Sequence, residues 1–195
     1  MDNAGIEWQR LDHSNWSDSY PYKPRVTFRI AHTGTAILLH YDVEENAVRA
    51  EATADNGAVW EDSCCEMFLQ PEKQGGYYNI ECNCAGTLLM GYGTGRSSRD
   101  AAAAEQLDTI DRWASLGRGR HPTEEGAFHW QIALVVPVTA LFRHHIAQLD
   151  GTTARCNIYK CGDRLPRPHF LSWMPVGTDK PDFHRPEFFG ACRFE

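Results

Sequence analysis

Along most of this chain apolar and polar residues alternate with a period of two, the signature of β-strands with one buried face. Arg25-Val-Thr-Phe-Arg-Ile-Ala31 alternates, and in Ala36 to Glu44 the residues Ile37, Leu39, Tyr41 and Val43 share one face while Leu38, His40, Asp42 and Glu44 share the other. The Thr33-Gly-Thr35 turn between them predicts a hairpin. From Trp60 to Gln70 the pattern puts Cys65, Met67 and Leu69 towards a core and Asp62, Cys64, Glu66 and Phe68 on the opposite face. In Tyr77 to Asn83, Tyr78, Ile80 and Cys82 point inward and Asn79, Glu81 and Asn83 outward.

Further strands are predicted over Thr87 to Tyr92, over Phe128 to Val136 with Trp130, Ile132, Leu134 and Val136 inward, over Thr153 to Cys161, and over Phe188 to Phe194, with a strand or irregular return at Ile110 to Leu116. Arg118 to Gly126 reads as a polar loop. The alanine-rich Arg99 to Leu107 favours a short helix and Thr139 to His145 a second. Many short strands, turns rich in Gly, Pro and Asn, and few helical segments predict an all-β fold, an antiparallel two-sheet β-sandwich of jelly-roll type.

The 195 residues suit one domain spanning 1–195. A net charge of −7, from 19 Lys and Arg against 26 Asp and Glu, lacks the cationic surface that phosphate-backbone binding requires, so nucleic acid is excluded as a partner. No apolar run approaches membrane-spanning length, and the N-terminus has neither the basic start nor the apolar core of an export signal. With Met1 as the natural start these features imply a cytoplasmic protein; with a leader already removed, a secreted or periplasmic one. The seven cysteines, at 64, 65, 82, 84, 156, 161 and 192, lack the two-residue gap of a zinc knuckle and read as buried free thiols acting as small hydrophobes rather than as a metal cluster. Nothing in the pattern specifies an oligomeric state.

Polar residues recur opposite the core: His40, Asp42, Glu66, Asn79, Glu81, Asn83 and Gln131. A solvated sheet face accounts for such a set. Planar amide and carboxylate groups also suit bidentate hydrogen bonding to vicinal sugar hydroxyls, and an indole stacks on the apolar face of a pyranose ring. Trp60, after the Asp55-Asn-Gly57 turn, and Trp173, in the loop Pro168 to Pro175, are the candidate walls of a slot; Trp8, Trp16, Trp113 and Trp130 read as packing residues.

Several segments carry a family resemblance. Trp60-Glu-Asp-Ser-Cys-Cys-Glu-Met-Phe-Leu69, Tyr77-Tyr-Asn-Ile-Glu-Cys-Asn83 with Gly86, and Phe188-Phe-Gly190 resemble carbohydrate-binding module family 9. Asn157 to Asp163, Pro168 to Trp173 and Pro181 to Gly190 resemble a bacterial subgroup of its single-domain relatives. The resemblance implies a jelly-roll sandwich that binds carbohydrate without catalysis, in which two tryptophans clamp a glucan or xylan end, and a place in polysaccharide catabolism. It makes Trp60 one clamp, Trp173 the other, Glu66 a hydroxyl-binding acid and Gln131 a further polar contact. Glu81 stands where members of the family place an arginine, which reverses the local charge and makes the site a variant.

Two other functions follow from the same residues. Asp62, Glu66 and Glu81 offer carboxylates on nearby strands, and a pair about 5–9 Å apart meets the requirement for glycoside hydrolysis. Related sandwich domains hold a b-type haem through Met and His, for which Met67, Met90 and Met174 with nine histidines are the available ligands. No cofactor is required by the pattern. Calcium, as a structural ion, is implied by the resemblance alone, since Asp55, Asn56, Asp150 and Asp179 read equally as turn-forming residues.

Overall fold

The computed structural model describes residues 5–195. Its strands are β1 (Gln9–Arg10), β2 (His13–Ser14), β3 (Arg25–His32), β4 (Ala36–Ala50), β5 (Cys64–Gln70), β6 (Tyr77–Asn83), β7 (Leu88–Gly93), β8 (Asp100–Ala101), β9 (Asp111–Ala114), β10 (His121–Pro137), β11 (Thr153–Cys161), β12 (Phe170–Ser172) and β13 (Gly190–Arg193), with one short helix, α1 (Ala104–Leu107). The first sheet runs β1-β3-β4-β10-β9 and the second β2-β12-β11-β5-β6-β7-β8, with β13 paired to the same edge of β11 as β12. All pairings are antiparallel. The expected β-sandwich is the observed fold.

The alternation sorts residues between the sheets as the sequence predicts. Ile37, Leu39, Tyr41 and Val43 meet Cys65, Met67, Leu69, Tyr78, Ile80 and Cys82 in one buried cluster with Trp130, Ile132, Leu134 and Val136. Several boundaries differ. The polar segment before Phe128 is extended strand, because β10 starts at His121 and pairs with the long end of β4 out to Ala50 through two register shifts. Pairing satisfies that backbone although its side chains face water. The helix expected over 99–107 is reduced to its last four residues, since Asp100 and Ala101 pair with β7. The helix expected over 139–145 is a 3₁₀ turn at Val138–Ala140.

The second sheet departs from the expectation of one wet face. Every residue of β5 and of β6 is buried. Its outer face carries a second apolar cluster, in which Cys64, Phe68, Tyr77, Tyr159, Cys161 and Phe170 pack under Val176, Phe183 and Phe189. The covering layer is irregular chain from both ends of the molecule. Phe183 stacks on Tyr159 at 4.0 Å and accepts a hydrogen bond from its hydroxyl at 3.2 Å, Tyr20 meets Phe170 edge-on at 4.9 Å, and the Trp16 indole donates to Thr178 O at 2.5 Å.

One ionic cluster crosses the sandwich. Glu45 on β4 and Lys160 on β11 pair at 3.0 Å with both side chains fully buried. The ammonium spends its remaining two donors on Cys161 O at 2.8 Å and His169 Nε2 at 2.7 Å. Because His169 Nδ1 lies 3.0 Å from Arg167 O, the imidazole carries its proton there and accepts at Nε2. Trp130 Nε1 donates to the other Glu45 oxygen at 2.8 Å.

Candidate functional site

Between the outer face of the second sheet and its covering loops lies a cavity of about 580 Å³. Its floor is strand: Cys161 from β11, Glu66 and Phe68 from β5, Asn79 and Glu81 from β6, Leu89 and Gly91 from β7. Trp60, Arg96, Arg99, Asp163 and the segment Pro181 to His184 form the rim, with Tyr20, Phe170 and Phe183 as aromatic wall.

Register explains the floor. Glu66 is opposite Glu81 across the β5–β6 ladder and opposite Tyr159 across the β11–β5 ladder, and Asn79 is opposite Gly91. Residues that are partners across a ladder point to the same face, so these polar groups converge. A Cβ on residue 91 would lie 2.9 Å from Asn79 Oδ1, and glycine there leaves the amide room. Asn79 donates from Nδ2 to Glu81 Oε1 at 2.8 Å and accepts at Oδ1 from Arg99 Nε at 2.9 Å. Arg99 also donates to Tyr77 O and to Gly95 O, both at 2.8 Å, and stacks its guanidinium 4.5 Å from the Tyr77 ring centre.

The carboxyls of the cavity are all shifted upward by burial. Burial, reinforced by the Glu81 charge, pushes Glu66 well above an ordinary carboxyl, although Cys161 Sγ donates to its Oε1 at 2.9 Å. Burial likewise lifts Glu81 to about 7, opposed by the Asn79 hydrogen bond, and Asp163 to about 6, opposed by the Arg96 charge. Glu81 Oε2 is buried without a hydrogen-bond partner. His184, whose Nδ1 lies 2.9 Å from the Tyr77 hydroxyl, is driven the other way, to about 3, by burial and then by the charges of Arg99 and Arg96.

Trp60 sits on a 3₁₀ turn, Val59–Glu61, with 39% of its surface exposed. The turn is fastened by Asp62, which is 1% exposed. Its carboxylate accepts from the backbone N–H groups of Glu51 and Ala52 and from Asn83 Nδ2, each at 3.0 Å, and pairs with Arg49 Nε at 3.1 Å. That set of donors occupies Asp62 as an anchor and removes it from the cavity chemistry.

Trp60, Glu66 and Glu81 are therefore brought together, and two of the other expected contacts are not. Trp173 shares its face of the chain with Leu171 and packs against the inter-sheet core, edge-on to Phe28 at 6.4 Å; the other aromatic rings that line the cavity with Trp60 are Tyr20, Phe68, Phe170 and Phe183. Gln131 belongs to the other sheet. Flanked by inward Trp130 and Ile132, it points to the outer face of β10, where it bonds Asp42 and lies 3.4 Å from His40 Nε2. The polar set that the sequence offers as one face is thus split between the two outsides of the sandwich. Trp130 is fully buried as expected, whereas Trp113 is 52% exposed on the edge strand β9.

Arg96, Arg99, Asp163 and His184 were not marked by any local pattern. Asp163 and His184 fall within the segments Asn157 to Asp163 and Pro181 to Gly190 that carry the subgroup resemblance, which was the available signal. Arg96 and Arg99 supply positive charge at the cavity from the β7–β8 loop, although the strand position at Glu81 carries an acid.

The ligand atoms proposed for other cofactors are differently placed. Met67 and Met90 belong to the inter-sheet core, and Met90 also lines the cavity. Asp55 accepts from Leu88 N at 2.9 Å and pairs with Arg112 at 2.7 Å, while Asn56 bonds Ala102 O and Met90 N. These two side chains are committed as turn anchors.

A family model described as carbohydrate-binding family 9 matches residues 1–194. A crystal structure of a candidate carbohydrate-binding protein from Bacteroides uniformis is 52% identical, covering 100% of this chain and 88% of that one, with a TM-score of 0.97. Two structures of a family 9 carbohydrate-binding module from Caldicellulosiruptor kristjanssonii share the fold. The glucose complex is 12% identical, covers 97% of this chain and 84% of that one, and has a TM-score of 0.60. The cellotriose complex is 11% identical, covers 97% and 83%, and has a TM-score of 0.59. A search of curated proteins finds no match. With a family model covering all but the last residue of the chain, this protein belongs to carbohydrate-binding family 9.

Proposed function

We propose that the cavity over the second sheet binds the end of a glucan- or xylan-type oligosaccharide without catalysis, with Trp60 as the stacking ring and Glu81, Glu66 and Arg96 as hydroxyl partners. The observation that carries this reading is the pairing of a half-exposed indole at the rim with a floor of planar polar groups, one of whose oxygens, Glu81 Oε2, has no hydrogen-bond partner among the described residues. An unpaired buried oxygen costs about 1–3 kcal/mol, which a ligand hydroxyl donating to it recovers. The indole supplies apolar contact to one face of the sugar ring. The clamp pairs Trp60 with the aromatic wall of Tyr20, Phe170 and Phe183 in place of Trp173. Glucose and cellotriose, the ligands of the two family 9 modules that share the fold, are the first probes.

Titration calorimetry with cello- and xylo-oligosaccharides tests the reading. Binding that is lost in Trp60→Ala and kept in Gln131→Ala supports it. No heat of binding at millimolar sugar from the wild type, or equal affinity in Trp60→Ala, removes the site assigned here.

The hydrolase alternative has its carboxylate pair, since Glu66 and Glu81 are direct ladder partners with raised protonation ranges. Glycoside hydrolysis places its two carboxyls on either side of the scissile bond. These two lie side by side in one sheet floor, on the same side of any sugar above them, which favours hydrogen bonding over bond cleavage.

A further inference from the structure

We propose that Cys64, Glu66 and Cys161 form a zinc site in the floor of the cavity, with its open coordination position facing the cavity. The two sulfurs and a carboxylate oxygen lie within 4.8 Å of one another, and all three residues are buried. Zn–S bonds of about 2.3 Å and Zn–O bonds of about 2.0–2.2 Å in a tetrahedron separate the ligand atoms by about 3.5–3.8 Å, so small side-chain rotations suffice.

The arrangement follows from the ladders. Cys64 and Glu66 are two apart on β5 and share a face, and Cys161 is the direct cross-strand partner of Cys64 on β11. Three ligands on two paired central strands are held more rigidly than ligands on loops. Glu66 and Cys161 line the cavity, which provides an entry path, while Cys64 lies behind them.

The donor set selects the metal. Calcium and magnesium take oxygen donors throughout, and the carboxylate disfavours copper(I), which prefers an all-sulfur environment; two thiolates with one carboxylate suit zinc. On binding, the two thiols and the Glu66 carboxyl release their protons to solvent. A second observation points the same way. Glu81, 4% exposed and the ladder partner of Glu66, keeps Oε2 unpartnered in the same cavity, where it is placed to accept a hydrogen bond from a zinc-bound water. The metal site shares Glu66 and Glu81 with the proposed sugar site, and its test contains no sugar, so that the two fail separately.

The experiment titrates the full chain, reduced and freed of metal by chelation, with cobalt(II) and then zinc. The expected result is one ion per chain, a thiolate-to-cobalt charge-transfer band in the near ultraviolet, tetrahedral visible bands, and displacement of cobalt by zinc. Cys64→Ser and Cys161→Ser each abolish the band and lower affinity at least about tenfold, while Cys192→Ser, outside the triad, keeps it. A folded wild type without the band, or a band that survives both triad substitutions, overturns the proposal. Where a serine variant does not fold, X-ray absorption at the zinc edge of the wild type decides: two sulfur ligands support the site and any other number overturns it.

Discussion

Glu66 and Glu81 face each other across adjacent strands in the floor of a cavity, 3% and 4% exposed, with an unpartnered oxygen on the second. Neither has a cation in direct contact in the way that Glu45 has Lys160 across the same sandwich. A buried acid without a cation is retained at a cost to stability, and a polar ligand offsets that cost. The proposed binding role of the floor rests on this contrast between a closed ionic cluster and an open acidic pair.

Trp60→Ala is expected to weaken sugar binding by about tenfold or more, since a lost stacking contact costs about 0.5–1.5 kcal/mol beyond the area it buried. Thermal stability is expected to change little, because the indole is 39% exposed and surface substitutions usually stay within about 0.5 kcal/mol. Calorimetric affinity and a melting curve on the same preparation check both halves.

Trp173→Ala gives the reverse pattern. Truncating a large aromatic that packs on Phe28 and the inter-sheet core costs about 2–4 kcal/mol. Sugar affinity, measured well below the melting point, is expected to stay within about twofold of wild type, a difference of less than about 0.5 kcal/mol. A selective loss of affinity without loss of stability would return Trp173 to the site.

His184 predicts a pH dependence of stability. Its folded pKa lies at about 3, below the ordinary 6.5, through burial and the neighbouring Arg99 and Arg96. In acid the unfolded chain takes up this proton first. The contribution of His184 is therefore complete above pH 6.5 and is lost as pH falls towards 3. In His184→Gln the melting temperature should fall less steeply with acidification across that window than in wild type; parallel curves would contradict the assignment.

Lys160→Met is expected to destabilise by about 3–5 kcal/mol, because it strands the Glu45 carboxylate in the core without its cation. Adding Glu45→Gln, which keeps an acceptor for the Trp130 indole, is expected to recover a large part of that loss. Urea denaturation of the two single variants and the double variant measures the coupling. Additive losses would show that the pair contributes nothing jointly.

The inward faces of β4, β5, β6 and β10 were legible residue by residue, because a period-two pattern distinguishes the two sides of a strand. Glu45 escaped that reading: it is an inward acid in an apolar series, and its reason lies on the opposite sheet, at Lys160. The candidate site was legible in part. Trp60, Glu66 and Glu81 were marked by one strand pair. Gln131 looked equivalent to them because alternation says that a residue points outward but not from which sheet. Trp173 looked equivalent to Trp60 because a loop tryptophan in sequence carries no sign of its facing, which the pairing of β12 decided.

The sequence by itself determined the strands, their buried faces and hence the sandwich, since these depend on local periodicity and on removing apolar side chains from water. Only the tertiary structure decided that the outer face of the second sheet is covered by chain from both ends, through contacts such as Trp16 with Thr178 and Tyr159 with Phe183. That covering turns Asn79, Glu81 and Glu66 from residues of a wet surface into the floor of a cavity, shifts the protonation of the two acids, and sets Arg96, Arg99, Asp163 and His184 around them. Contacts between residues 24 positions apart, as Tyr159 and Phe183, or 162 apart, as Trp16 and Thr178, leave no trace in local pattern, and they decide what each outward face meets.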